Sequence, residues 1–90
     1  MTEEQEELIM EFPFLLLGTL LDGYSWLDYT ETVKKLIDAD LFTLLLPPGA
    51  KYEDWYVAHY QRVRVYPTAT LRSFREYIEN IIASRHARIT

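Results

Sequence analysis

The residues in this 90-residue chain best suited to chemistry form an alternating set near its middle: Tyr60, Arg62, Arg64 and Tyr66. Extended backbone sends every second side chain to the same face, so these four project together, about 6–7 Å apart at each step. An Arg guanidinium forms two parallel hydrogen bonds to a carboxylate or phosphate. Arg, Tyr and Trp are the types most enriched where binding energy concentrates. Val63 and Val65, with Val57, His59 and Gln61, take the opposite face, and the valines mark it as the core side. The alternative for the Arg/Tyr face is a solvated sheet surface, with Arg stems lying over apolar neighbours. Trp55, between acids in the stretch Lys51-Tyr52-Glu53-Asp54-Trp55-Tyr56, is a second candidate contact residue or else a plug that closes the core. Arg72 and Arg75 extend the cationic set.

Reactive chemistry has little to draw on. The chain has no cysteine, which excludes disulfides, thiolate metal sites and cysteine nucleophiles. It has two histidines, His59 and His86, at no metal-ligand spacing. The three glycines, Gly18, Gly23 and Gly49, are scattered, so no phosphate loop forms, and no Gly-x-Ser-x-Gly elbow is present. The expectation is a non-enzyme with no cofactor and no metal.

Charge divides the chain. Residues 1–45 hold ten acids against Lys34 and Lys35, a balance of −8; residues 46–90 hold four acids against seven Lys and Arg, a balance of +3. The acidic surface is expected at Glu3, Glu4, Glu6, Glu7, Glu11, Asp28, Glu31 and Asp38. Either the two halves pack together and neutralise each other, or the charges face partners.

Length and composition limit what positions these residues. Ninety residues fit one domain, 1–90, and 49% hydrophobic with 14% aromatic residues excludes a disordered chain. The strongest apolar stretch, 8–21, has 14 residues and contains Glu11, Pro13 and Gly18, short of the roughly 20 that a membrane helix needs. The acidic start is unlike a secretory signal. A cytoplasmic protein without membrane contact is expected.

Thr2 with Gln5 reads as a capping box that opens a helix over 3–11. Pro13 kinks that helix or opens another, whose apolar residues Phe14 to Leu21 predict burial on most sides, with a strand as the competing reading. Gly23 suits a helix C-terminus. Ser25 then caps a further helix carrying Trp26, Tyr29, Val33, Leu36 and Ile37, with Asp28 and Glu31 as a second box. Leu41–Leu46, stopped by Pro47-Pro48-Gly49, predicts a strand, and 56–66 its longer hairpin partner, ended by Pro67. Thr68 or Thr70 caps a last helix with Leu71, Phe74, Ile78, Ile81 and Ile82 as its apolar stripe.

The expected fold class is therefore α+β, a small single domain of N-terminal helices followed by a β-hairpin and a C-terminal helix. Asp22-Gly23-Tyr24-Ser25 between two apolar-patterned helices, followed by a hairpin, resembles a winged helix. That resemblance implies a helix that reads DNA. Here it would carry Asp28, Glu31 and Asp38 and repel the duplex, so nucleic acid is not the expected partner. The leading expectation is a non-catalytic domain that docks on a larger protein and modulates or inhibits it. In size and charge the chain resembles phage-encoded inhibitors. The acidic half would mimic a nucleic-acid backbone, and the partner would then be a nucleic-acid-binding protein. The alternative is a small regulator that contacts nucleic acid or a nucleotide through Arg62, Arg64, Arg72 and Arg75. The apolar strand 41–46 or the last helix would support a homodimer.

Overall fold

The computed structural model describes residues 1–45 and 62–89, with the backbone alone for 87–89. Trp55, Tyr60, His59 and the rest of 46–61 lie outside the described residues. The chain runs α1 (Glu3–Glu11), α2 (Pro13–Asp22), β1 (Ser25–Asp28), α3 (Glu31–Asp38), β2 (Phe42–Leu44), β3 (Arg62–Pro67), α4 (Ala69–Ser73) and α5 (Arg75–Ile89). The described residues form a small α+β domain of five helices and one antiparallel three-stranded sheet, with strand order β1-β3-β2. Among the described residues, no helix is long and apolar enough to cross a membrane.

The helix starts follow local chemistry. Thr2 Oγ1 accepts from the Gln5 backbone N–H at 3.1 Å, and Gln5 Oε1 accepts from the Thr2 N–H at 2.9 Å, which completes the capping box. The Gln5 amide also donates to the Ala39 carbonyl at 2.8 Å, in a buried bond that ties α1 to the end of α3. Pro13 is the first residue of α2, where its missing N–H costs nothing. Gly23 ends α2 in the left-handed conformation, φ 83.

Two expectations are corrected here. The segment from Ser25 is a strand, not a helix. Ser25 caps nothing: its hydroxyl meets that of buried Thr19 at 2.5 Å, fastening β1 to α2. Ser25, Trp26, Leu27 and Asp28 stand opposite Val65, Arg64, Val63 and Arg62. The ladder to β3 wins over helical spacing, and the helix starts later, at Glu31. Its cap is Thr30, whose Oγ1 accepts from the Val33 N–H at 3.4 Å; no Asp28–Glu31 box forms. The turn at 22–25 is thus helix-turn-strand, not helix-turn-helix. Nor is α2 buried on most sides. Pro13, Leu16 and Thr19 are buried, but Phe14 is 62% and Leu21 61% exposed.

The core gathers Leu8, Ile9, Leu16, Val33, Leu36, Leu41, Phe42, Val63, Val65, Leu71 and Ile78. Phe74, Ile81 and Ile82 pack against it, as the stripe on the last helix predicts. That helix is in fact two, because the chain tightens at Phe74, whose N–H donates to Leu71. The far end of α5 is held where Arg85 donates to the Met10 carbonyl at the end of α1.

One corner joins the halves. α3 ends in a Schellman motif: Leu41 N–H donates to Leu36 at 3.0 Å and Asp40 N–H to Ile37 at 3.1 Å, with Asp40 left-handed at φ 62. Leu36 and Leu41, both fully buried, supply the apolar contact of that motif. Thr68, the cap of α4, donates from Oγ1 to the Asp40 carbonyl at 2.6 Å and accepts from the Leu71 N–H at 3.1 Å. The Thr68 N–H donates to the Leu41 carbonyl at 3.1 Å, and Thr70 donates to the Asp40 carboxylate at 2.7 Å.

Two predictions follow from local geometry. Thr68→Val keeps the volume and loses both the cap and the bond to Asp40, so it should lower unfolding free energy by about 1–2 kcal/mol, with Thr68→Ser largely spared, in urea titrations. Gly23→Ala should cost about 1–2 kcal/mol for its left-handed backbone. Gly18, where an added Cβ meets nothing within 4 Å, should respond with the opposite sign, Gly18→Ala stabilising by up to about 1 kcal/mol.

Candidate functional site

β3 places its side chains on two faces. Val63 and Val65 are buried in the core, while Arg62 is exposed and Arg64 and Tyr66 are half-buried on the outer face. Cross-strand register adds Trp26 opposite Arg64, Asp28 opposite Arg62, and Thr43 opposite Tyr66. The outer face of the sheet is thus a continuous surface of aromatic, cationic and small polar side chains.

Its centre is Arg64. The guanidinium carbon lies 4.3 Å from the Tyr24 ring centroid, 5.2 Å from Tyr66 and 5.7 Å from Trp26. Each ring turns its electron-rich face to the cation. Nε of Arg64 is buried with no hydrogen-bond partner, so the rings and not polar groups hold this end of the side chain. The rings remain open to a partner: Trp26 is 49% and Tyr24 38% exposed. The result is a platform whose side chains are already braced against one another. Less side-chain entropy remains to be lost when something binds.

Arg62 behaves differently. It stands opposite Asp28, yet its Nη2 donates to the Trp26 carbonyl at 3.0 Å. Beside it, Asp22, Tyr24, Ser25, Trp26, Leu27 and Arg62 line an open groove of ≈ 550 Å³ along β1.

Of the residues expected to contact a partner, Arg62, Arg64 and Tyr66 share the outer face. Tyr60 and Trp55 lie outside the described residues. Arg72 and Arg75 are exposed on α4 and at the start of α5, and among the described residues no hydrogen bond or ring contact joins them to the sheet face. Two members of the platform were not expected, Tyr24 and Trp26, because Tyr24 read as part of a turn and the segment from Ser25 to about Ala39 as a helix. The signal for them was the Trp-Leu-Asp-Tyr alternation, which is too short to outweigh the helical spacing.

Glu3, Glu4, Glu6, Glu7 and Glu11 are exposed on α1, and Asp28, Glu31 and Asp38 are exposed elsewhere. Among the described residues the one ion pair is Arg75–Glu79, 2.8 Å, within α5. No ion pair therefore joins the acidic and cationic halves among the described residues. No group of three or more acidic, His or Cys side chains there could hold a metal ion.

Comparison with protein-family models, with curated proteins and with solved structures finds no match.

The ring-braced guanidinium makes a specific demand. Arg64→Met keeps the apolar stem and removes the cation, and should lower stability by about 1 kcal/mol while raising the mobility of Trp26 and Tyr24. Arg64→Lys should recover only part of this, because a compact ammonium does not lie flat on a ring. Urea titration and NMR relaxation of the Trp26 indole test both.

Proposed function

We propose that this chain is a non-catalytic docking domain that binds a larger protein through the outer face of its sheet and modulates it by occupying a surface. The observation that carries this reading is the clasp of Arg64 by Tyr24, Trp26 and Tyr66 on an open face. Arg, Trp and Tyr are the anchors of protein interfaces, and they act best when held in place before contact. The face is also mixed in polarity: Thr43, Asp28 and Arg62 surround the rings and supply a hydrogen-bonding rim.

The exposed acids of α1 give the domain a second electrostatic character. A row of five glutamates on one short helix favours a partner with a basic groove, as nucleic-acid-binding proteins have. On this reading the domain inhibits by filling that groove while the sheet face anchors it.

One observation favours a second reading. Exposed Trp26 and Tyr24 beside two arginines form a surface on which bases of a single strand, or a nucleotide, could stack. The net charge of −5 and the acidic α1 oppose it.

The two readings separate in one experiment. The intact protein, a Trp26→Ala/Arg64→Ala variant and an Arg72→Ala/Arg75→Ala control are each used to capture proteins from cell extract and, separately, titrated with a fluorescent single-stranded oligonucleotide at low salt. Docking predicts a captured protein that the Trp26/Arg64 variant loses by at least about tenfold in affinity, or 1.4 kcal/mol, and the control retains. Capture that survives the sheet-face change removes the face from the function. Oligonucleotide binding lost in the same variant would replace the docking reading with the second one.

A further inference from the structure

Among the described residues β1 is an edge strand, and the register of the sheet fixes which of its backbone groups face away from β3. The Leu45 N–H donates to the Arg64 carbonyl at 3.0 Å, so Arg64 turns its N–H and C=O toward β2. In an antiparallel ladder both groups of a residue point the same way. Arg64 therefore makes no ladder bond to Trp26, its opposite number on β1. The N–H and C=O of Trp26 point outward, away from the sheet. The same alternation sends those of Asp28 outward, while Ser25 and Leu27 bond to β3. The Arg62 contact agrees: its guanidinium reaches the Trp26 carbonyl, and the groove along β1 opens at that place.

An open edge with a fixed pattern of donors and acceptors accepts another strand. We propose that the strand is β1 of a second copy of this chain, paired antiparallel about a two-fold axis through Leu27. In that register Trp26 of each copy stands opposite Asp28 of the other, and these are the residues whose backbone groups point away from β3. Four main-chain hydrogen bonds form across the axis. Leu27 meets Leu27 of the second copy on the inner face. On the outer face, the Asp28 carboxylate of each copy arrives where the Arg62 guanidinium of the other already stands.

Charge complementarity selects a second copy. Arg62 forms no ion pair with the Asp28 opposite it in its own chain, but reaches past it to the edge. A two-fold axis uses that geometry twice, because residue and partner exchange roles across it. When the second strand takes the Trp26 carbonyl, Arg62 exchanges a single neutral acceptor for a carboxylate, which is the stronger bond. The two sheets then join into one of six strands, and the Arg64 platforms of both copies lie on the same side. With four residues per copy the contact falls below the standard interface of roughly 1,600 Å², so the dimer is a weak one that depends on concentration.

Sedimentation velocity over the micromolar range tests the proposal, with circular dichroism confirming the fold of each variant. The unmodified chain should pass from monomer to dimer as concentration rises. Asp28→Arg and Arg62→Asp each place like charges together at both ends of the contact and should weaken the dimer by about tenfold or more. The double variant Arg62→Asp/Asp28→Arg should restore it to within about threefold of the original. Independently, the Trp26 and Asp28 amides should exchange rapidly with solvent in the dilute monomer and slow as the dimer forms. A chain that stays monomeric throughout, a dimer indifferent to both single changes, or a folded double variant that does not recover would each overturn the proposal. Self-association indifferent to charge would instead place the contact elsewhere, such as the exposed Phe14 and Leu21 of α2.

Discussion

The two-faced alternation of β3 is the constraint on which the rest of this molecule depends. β3 is the central strand, so both of its edges are taken, by β1 and by β2. Val63 and Val65 turn inward and are covered by helices; Arg62, Arg64 and Tyr66 turn outward. A slip of one residue would exchange the faces and bury two guanidinium groups, a cost of several kcal/mol each. The register is therefore fixed by burial. Once it is fixed, the positions of Trp26 and Thr43 opposite β3 are fixed with it. The aromatic clasp of Arg64 follows from core packing on the other side of the same strand.

Around that strand the chain is closed by short polar bonds at three corners. Thr19 and Ser25 join α2 to β1, Gln5 joins α1 to the end of α3, and Thr68 joins the start of α4 to Asp40 and Leu41. At the last two, a side-chain oxygen or nitrogen satisfies a carbonyl that a helix end or turn would leave open. Asp40 shows the same economy. It takes a left-handed backbone that glycine would adopt more freely, and its carboxylate accepts from Thr70 in return.

The surface that results is electrostatically divided. The acids of α1 stay exposed, the arginines of the sheet are held by rings and by a main-chain carbonyl, and the ion pair among the described residues lies within one helix. A cation engaged by aromatic faces is not neutralised, as a cation in an ion pair is. That division of charge is the physical ground for the proposal that the domain docks on a partner.

Much of this was written in the sequence at short range. The Thr2–Gln5 box, Pro13 at the head of α2, Gly23 at its end, Thr68 at the head of α4 and the Val/Arg alternation of β3 all depend on residues within a few positions of one another. Their chemistry is the same in the free chain as in the fold. What sequence alone did not decide was the segment after Gly23. The spacing of Trp26, Tyr29, Val33 and Leu36 satisfies a helix, and the competing ladder lies 34–40 residues away, at Arg62–Val65. Those four strand pairs, together with the Thr19–Ser25 contact, outweigh a preference of a few tenths of a kcal/mol per residue. Because that choice was tertiary, so was the site. Tyr24 and Trp26 reach Arg64 only through the sheet, and among the described residues β1 has a partner on one side alone, β3.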